Sequence, residues 1–473
     1  MTSLDYPPGP HSILPNKLLR KFMNDPTKTL MEIAHTYGDI CHFKFGRQHI
    51  YLLNNPDYIE GILIRDHKNF IKSRGLQVSK RLLGEGLVTS EGEYHDRQRK
   101  LIQPTFHPNR IKAYGDIMTS HAVHMQERWK DGSTLDIHKE MMHVTSEIIS
   151  KAVLGSDIKA EEDEVGVALQ TCMEYFNRLQ MPFGELIEKI PILPINKGYQ
   201  SAKKKLDSIV YAMIKEHRDN EGKGVYHKED REICPKDRYM NKPTDVIPIQ
   251  DLLYTLLQAH DTEAGISRMT DSQLKDEVMT IFLAGHETTS NALTWTFYLL
   301  SQHPTVDDRL YTELSSVLGN RIPTVEDIPK LEYTEKVFRE SMRLYPPAWT
   351  LGRRVINDYK VNKYPIPAGS IILMSQYVMH HDSRYFSGPD VFYPDRWTKE
   401  MKSNLPRFSY FPFGGGIRGC VGEPFAWMEG ILLLATICRR WKMHHDRDHK
   451  VGLKPLITLR PKYGMRMKLE SRV

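Results

Sequence analysis

The stretch from residue 271 to 300 limits what this chain can fold into more than any other. Asp271 is a suitable N-cap. From Leu274 onward, Val278, Ile281, Phe282, Gly285, Thr289, Ala292, Trp295, Thr296 and Leu299 recur at the i, i+3, i+4, i+7 spacing of a helix face. A helix of about 30 residues runs roughly 45 Å, close to the width of a globular molecule of this size. Much of its surface is apolar, so it is expected to run through the interior. Other elements must then be arranged around a long internal rod.

Residues 39–55 alternate in strand fashion around Gly46-Arg47, which predicts a hairpin. From about 93 to 218 the pattern is mostly helical, with breaks expected at Pro104, Pro108, Gly132, Pro182 and Pro191–Pro194. Residues 219–247 are polar and rich in Lys, Asp, Glu and Pro, and predict a surface loop. Short strands are expected near 352–376, a helix at 423–440, and a last alternating hairpin near 455–470. The fold class is mainly α with small β-sheets. The chain is expected to form a single domain over 1–473, with a β-rich portion at about 35–60, 350–378 and 450–470 and a helical remainder.

Charge and cysteine usage exclude several function classes. The net charge is +6, but both signs are spread along the chain, which argues against a nucleic-acid partner. The five cysteines (Cys41, Cys172, Cys234, Cys420 and Cys438) include no Cys-x-x-Cys pair, so neither a zinc ribbon nor a dithiol redox site is written here. Cys41, Cys172, Cys234 and Cys438 read as buried thiols of a cytoplasmic protein. The first twenty residues contain Asp5 and four prolines and do not read as a signal peptide or a transmembrane anchor.

Four constellations can carry chemistry. The first is the run from Phe413 to Pro424, where five of the nine residues from 414 to 422 are glycine. Such a loop can turn several backbone N–H groups toward one point, here the Cys420 sulfur. With Arg418 nearby and a helix starting just after it, Cys420 is expected to be a thiolate, suited to a soft or borderline metal. Other readings stay open. Gly414-x-Gly416-x-x-Gly419 fits a dinucleotide fingerprint by spacing, though no acidic residue follows in the right place. A nucleophilic cysteine would need a histidine base that no pattern supplies, and an inert turn is the plainest alternative.

The second constellation is Ala284-Gly285-His286-Glu287-Thr288-Thr289, in the middle of the long helix. An acid and two hydroxyls in an apolar helix are costly unless used or satisfied. Gly285 thins one side, and a threonine bonding back to a carbonyl would open the ladder, which predicts a groove able to hold a diatomic ligand. The zinc pattern H-E-x-x-H fails because Ser290 stands at its second ligand position. The third is Glu340-x-x-Arg343, an i,i+3 pair that a further charge, Arg396, would turn into a buried lock. The fourth is His95 with Arg99, one helical turn apart and able to grip a dianion. A solvated basic stretch is the alternative there.

Together these resemble a cytochrome P450, a haem-thiolate monooxygenase. Phe413-x-x-Gly416-x-Arg418-x-Cys420-x-Gly422 is similar to the family's haem-ligand signature. Ala284-Gly285-x-Glu287-Thr288 is similar to its oxygen-activation motif, and Glu340-x-x-Arg343 with Pro394-Asp395-Arg396-Trp397 to its structural triad. Pro7-Pro8-Gly9-Pro10 resembles the hinge that follows the anchor of membrane members. The resemblance implies the cytochrome P450 fold and haem b, with Cys420 as axial iron ligand. Cofactor contacts would come from Phe413, Gly414, His95, Arg99, Arg353 and Arg418. Glu287 and Thr288 would deliver protons, and Val88, Ala284, Ala348 and Trp349 would line the substrate pocket.

The implied reaction is hydroxylation of a hydrophobic small molecule, a fatty acid or terpenoid, with O2 as co-substrate. The likeness is greatest to soluble bacterial members related to fatty-acid hydroxylases. Electrons from NAD(P)H would arrive through a separate ferredoxin or flavodoxin with its reductase, docking on the Cys420 side, since no reductase is expected within this chain. The alternatives are a peroxide-driven peroxygenase and a non-catalytic haem sensor.

Overall fold

The central helix spans Asp271–Gln302, in agreement with the periodicity. Its cap differs. The Thr270 backbone N–H donates to Gln273 Oε1 at 2.9 Å and Gln273 N–H returns to Thr270 Oγ1 at 3.3 Å, a capping box. Asp271 instead accepts from Arg218 Nη2 at 2.6 Å. A computed structural model describes residues 5–10, 17–107, 111–155, 193–222, 252–258 and 268–472, with a few helical positions between 167 and 179. Residues 219–222 end the helix Pro194–Gly222. The rest of the loop expected at 219–247, and Cys234 with it, lies outside the described residues.

The chain divides into two units. One comprises residues 1–77, 118–145 and 286–473. Its five-stranded sheet runs in the order Ile40–Phe45, Gln48–Leu53, Ile371–Met374, Leu351–Val355, Phe70–Lys72. The first two strands form the expected hairpin, and Gln48–Leu53 pairs in parallel with Ile371–Met374. Both faces are covered. Cys41, Phe43, Ile50 and Leu52 pack with Leu30 and Ile33 of the helix Pro26–Tyr37. Tyr51, Leu53, Ile372 and Met374 pack on the other side with Phe408 and Phe411. Two buried faces explain why Ile50–Leu53 is apolar without alternation.

The last hairpin differs from expectation. Leu453–Pro455 pairs with Leu459–Pro461. Arg466–Ser471 joins neither, but lies between Trp441–His445 and Thr134–Asp136 in a separate three-stranded sheet. The alternation of 455–470 therefore belongs to two sheets. The helix Glu423–Arg440 matches its predicted bounds.

The second unit comprises residues 78–117 and 146–285. It contains Gly92–Ile102, Pro194–Gly222 and the first half of the central helix. The turn holding Val88 is fastened to that helix, because Glu85 N–H donates to Asp276 and Leu87 N–H to Glu277, each at 2.9 Å. Pro104 falls in a short 3-10 turn, Gln103–Phe106, and Gly132 stands just ahead of a strand, as expected for breaks. Pro194 opens the helix Pro194–Gly222, in keeping with a break there, while Pro108, Pro182 and Pro191 lie outside the described residues. A first-turn proline gives up an N–H that has no intrahelical partner anyway.

Candidate functional site

The glycine loop closes on itself just ahead of the helix Glu423–Arg440. Cys420 N–H donates to the Phe413 carbonyl at 2.9 Å, and Gly419 N–H to Gly416 at 3.0 Å. Gly416 has φ +67°, and a Cβ there would lie 2.1 Å from the Leu63 carbonyl oxygen, so no other residue fits. The Phe413 ring packs at 5.9 Å from that of Trp427, one helical turn into the helix. Cys420 itself is exposed and in no disulfide, whereas Cys41, Cys172 and Cys438 are buried. Burial pushes the Cys41 and Cys172 thiols up to about 12, aided at Cys41 by the Asp39 carboxylate, as expected of inert core thiols. Cys420 is thus the thiol displayed at a helix N-terminal end.

The Glu340 lock forms as read from the sequence. Glu340 and Arg343 are fully buried. Arg343 Nε and Nη2 donate to the two Glu340 oxygens at 3.0 and 2.8 Å, and Arg396 Nε adds a bond at 2.8 Å. Trp397 Nε1 donates to the same carboxylate at 2.8 Å. The remaining Arg343 donors reach the carbonyls of His380, Pro389 and Val391. A carboxylate and two guanidiniums taken out of water are tolerable only with their hydrogen bonds made, and these are. The lock holds the 387–397 segment against the helix Glu332–Leu344.

On the central helix, Glu287 is 2% exposed. Arg460 Nε donates to its Oε1 at 2.6 Å and the Thr458 hydroxyl donates to the same oxygen. Burial alone would raise this acid, but the Arg460 charge and the hydrogen bonds from Arg460 and Thr458 outweigh it and hold the carboxyl below its ordinary range. Asn291, one turn on, donates to Thr458 Oγ1 at 3.2 Å, and Trp295, a turn further, donates to the Leu459 carbonyl at 3.0 Å. One helix face thus grips the hairpin Leu453–Pro461. Sequence reading singled out Glu287 but missed Thr458 and Arg460, because nothing local joins residues some 170 positions apart.

The groove expected beside Gly285 is filled. A Cβ there would lie 2.7 Å from Ile149 Cδ1, so the missing side chain makes room for Ile149. The accessible stripe is instead Ala284, exposed, with Thr288 half-buried, in a stretch otherwise almost wholly buried from Leu274 to Phe297. Val88 and Ala348 are half-buried. Trp349 is a core residue, 6% exposed, whose indole donates to the Leu456 carbonyl at 2.8 Å. It supports the hairpin instead of facing a cavity.

Arg353 is buried in the five-stranded sheet and stands directly opposite Lys72, also buried, on the neighbouring strand. Paired positions share a face, and two like charges there favour an anion. Lys72 was missed by the sequence reading, in which a lone lysine in a short strand carries no signal. Arg418 ends the 3-10 turn Gly416–Arg418. In the other unit His95 is buried with its Nδ1 3.0 Å from Asp96 Oδ1, and Arg99 is half-buried one turn on.

The donor set fits a haem. It offers one exposed thiol at a helix end for iron and buried cations for carboxylates. Among the described residues no group of three or more His, Cys, Asp and Glu could hold a metal ion, so zinc-type ligation finds no site there.

Comparison with known proteins agrees. The family model for cytochrome P450 matches residues 6–468. Cyclooctatin synthase of Streptomyces melanosporofaciens is 32% identical over 89% of this chain and 87% of its own length. Cyclooctat-9-en-7-ol 5-monooxygenase of the same organism is 33% identical over 86% and 83%. Pentalenene oxygenase of Streptomyces avermitilis is 28% identical over 93% and 92%. The crystal structure of the cytochrome P450DA heme domain superposes with a TM-score of 0.83 at 22% identity, covering 99% of this chain and 98% of that one. No helix among the described residues is long and apolar enough to cross a membrane. With a displayed thiol, buried cations and a family match over nearly its whole length, this chain belongs to the cytochrome P450 family of haem-dependent monooxygenases.

Proposed function

We propose that this enzyme hydroxylates a terpenoid, using electrons from a separate ferredoxin or flavodoxin in the cytoplasm. The observation that carries the reading is the Cys420 loop, in which an exposed thiol is presented by a backbone that only glycine can adopt at Gly416. In the proposed assignment Cys420 holds the haem iron. Arg353, Arg418, Lys72, His95 and Arg99 hold the propionates, and Phe413 and Gly414 shape the cofactor's thiolate side. Bound haem supplies the activation of O2 and the transfer of one oxygen atom to a C–H bond.

The chain's own residues do the rest. Thr288 offers a hydroxyl on the accessible stripe of the central helix. Glu287, being ionised, acts by taking up a proton and passing it on, not as a resident acid. Ala284, Val88 and Ala348 line the substrate side, with Trp349 behind them as support. Two relatives are named for an unsaturated hydrocarbon, pentalenene, and an unsaturated alcohol, cyclooctat-9-en-7-ol. Neither substrate carries a carboxylate, which favours a terpenoid over a fatty acid.

Spin-state titration of the haem-loaded protein with terpenes, fatty acids, carotenoids and steroids tests this. Terpenes should displace the resting spectrum most tightly, and a selective response to fatty acids would overturn the substrate assignment. Turnover needs the reductant and carrier proteins. Equal product from peroxide alone would replace this reading with a peroxygenase.

A further inference from the structure

A cavity of about 280 Å³ lies among the last turns of the central helix, the end of the helix Glu332–Leu344, the helix Gln376–His380 and the 390–392 segment. None of the site residues named above lines it. Its volume is at the low end of small-molecule sites, which start at roughly 300 Å³. Leu299, Leu344 and Phe392 are buried and make an apolar base, whereas Asp390 is exposed and stands at the rim.

Three tyrosines, Tyr298, Tyr345 and Tyr377, form the walls. All are half-buried, and among the described residues none of their hydroxyls has a hydrogen-bond partner. A tyrosine drawn into the protein ordinarily finds a partner for its O–H, so three without one around a single space mark a place kept for something else. The rings are firmly held. Tyr345 is stacked on Trp295 at 4.3 Å, which covers one of its faces and leaves the other. Tyr298 meets both of these rings edge-on, 5.9 Å from Trp295 and 6.5 Å from Tyr345. Tyr377 lies 4.4 Å from the His381 ring, whose Nδ1 donates to the Tyr377 carbonyl at 2.7 Å. Walls set in advance leave little to be ordered on binding.

Charge selects the ligand. No lysine or arginine lines the cavity. Burial holds His381 down to about 4, so it is uncharged at neutral pH. Asp390 has no cation beside it among the described residues. Burial pushes the Tyr377 phenol up to about 12, and the carboxylates of Asp25 and Asp390 add to the rise, so both negative charges are felt at this wall. Aromatic faces attract a cation through their quadrupole, and carboxylates nearby strengthen the pull.

We propose that this cavity is a second binding site, separate from the one that Cys420 presents, for a small organic ammonium ion with a flat apolar body: the body lies against Tyr345 and Tyr377, and the cationic head faces Asp390. An anion finds nothing there to pair with. A purely apolar ligand leaves the carboxylate and three phenol oxygens unused.

The probe is trimethyl(2-phenylethyl)ammonium, whose nitrogen has no lone pair to give to iron. Equilibrium dialysis with the haem-loaded protein should show one equivalent bound with a Kd below about 1 mM. The uncharged analogue 2-phenylethanol should bind several-fold more weakly. Asp390→Asn, a change at an exposed side chain, should weaken the ammonium ion several-fold, and Tyr377→Leu by about tenfold. Added salt should weaken binding to the parent and hardly alter it in Asp390→Asn. The Soret band should stay in place throughout. Weaker binding than this by the parent, or an affinity unchanged in Asp390→Asn, overturns the proposal. A Soret shift that follows the binding curve puts the ion beside the haem and overturns it as well. Thermal unfolding shows whether Tyr377→Leu has folded, and if it has not, Asp390→Asn alone decides.

Discussion

Arg460 places its Nε 2.6 Å from Glu287 Oε1, so the acid of the central helix is neutralised by a strand near the far end of the chain. Removing the cation leaves a buried carboxylate uncompensated. Arg460→Met should cost about 3–5 kcal/mol in denaturant unfolding at neutral pH. Adding Glu287→Gln should restore much of it, since the charge that needed a partner is then gone. The sign with pH follows from the lowered acid. Its contribution is present above the unfolded value and is lost as pH falls through the folded one. The stability gap between Arg460→Met and the parent should therefore be widest at neutral pH and narrow as pH falls, because protonating Glu287 removes the charge that lacks a partner in the variant.

Cys420→Ala should abolish the red-shifted Soret band of the reduced, carbon-monoxide-bound protein. Cys438→Ala, which removes a thiol buried deep in the helix Glu423–Arg440 that follows the Cys420 loop, should keep the band and lower only thermal stability. Loss of the band in both variants would show that the spectrum reports folding and not ligation.

Arg343→Lys is not a conservative change here. The guanidinium donates to both Glu340 oxygens and to three carbonyls at once. An ammonium offers three donors from one point and cannot span them. We expect a loss on the order of 3 kcal/mol or more, read as a collapse in the yield of haem-loaded protein. A variant with parental yield and melting temperature would show that the lock is dispensable.

Glu429 gives the opposite pH signature to Glu287. Its folded value near 8 stands above the unfolded value of about 4.5, so the native state holds a proton that the unfolded chain has lost. The stability from this group is full below the unfolded value and drains as pH rises toward 8, by about 1.4 kcal/mol per pH unit. Glu429→Gln should flatten the stability curve across that window in denaturant titrations run at several pH values. An unchanged slope would mean the acid is ionised in the folded protein.

What the sequence revealed follows the range of each signal. The central helix, the helix Glu423–Arg440 and the hairpin at Ile40–Leu53 are periodic over their own length, so they could be read directly. Cys420 and the Glu340 lock could be read from motif spacing. Thr270 was passed over as the cap because Asp271 is as good a capping residue, and only the return bond from Gln273 decides between them. Arg460 and Lys72 are single polar residues in short strands, and Thr458 lies in the turn between two of them. Their meaning comes from what lies opposite, which no local pattern encodes. Gly285 was read as an opening, but whether a missing side chain leaves a groove or admits a neighbour depends on Ile149, from another helix.

The parallel pairing of Ile50 with Ile371 sets the order in which the molecule can be built. During synthesis the N-terminal hairpin leaves the ribosome with one edge unsatisfied, and the strand that completes it is not translated until most of the chain has emerged. That edge is a template for mispairing throughout the wait. Slowing translation early in the message should raise aggregation during expression, and a chaperone that shields nascent strands should lower it.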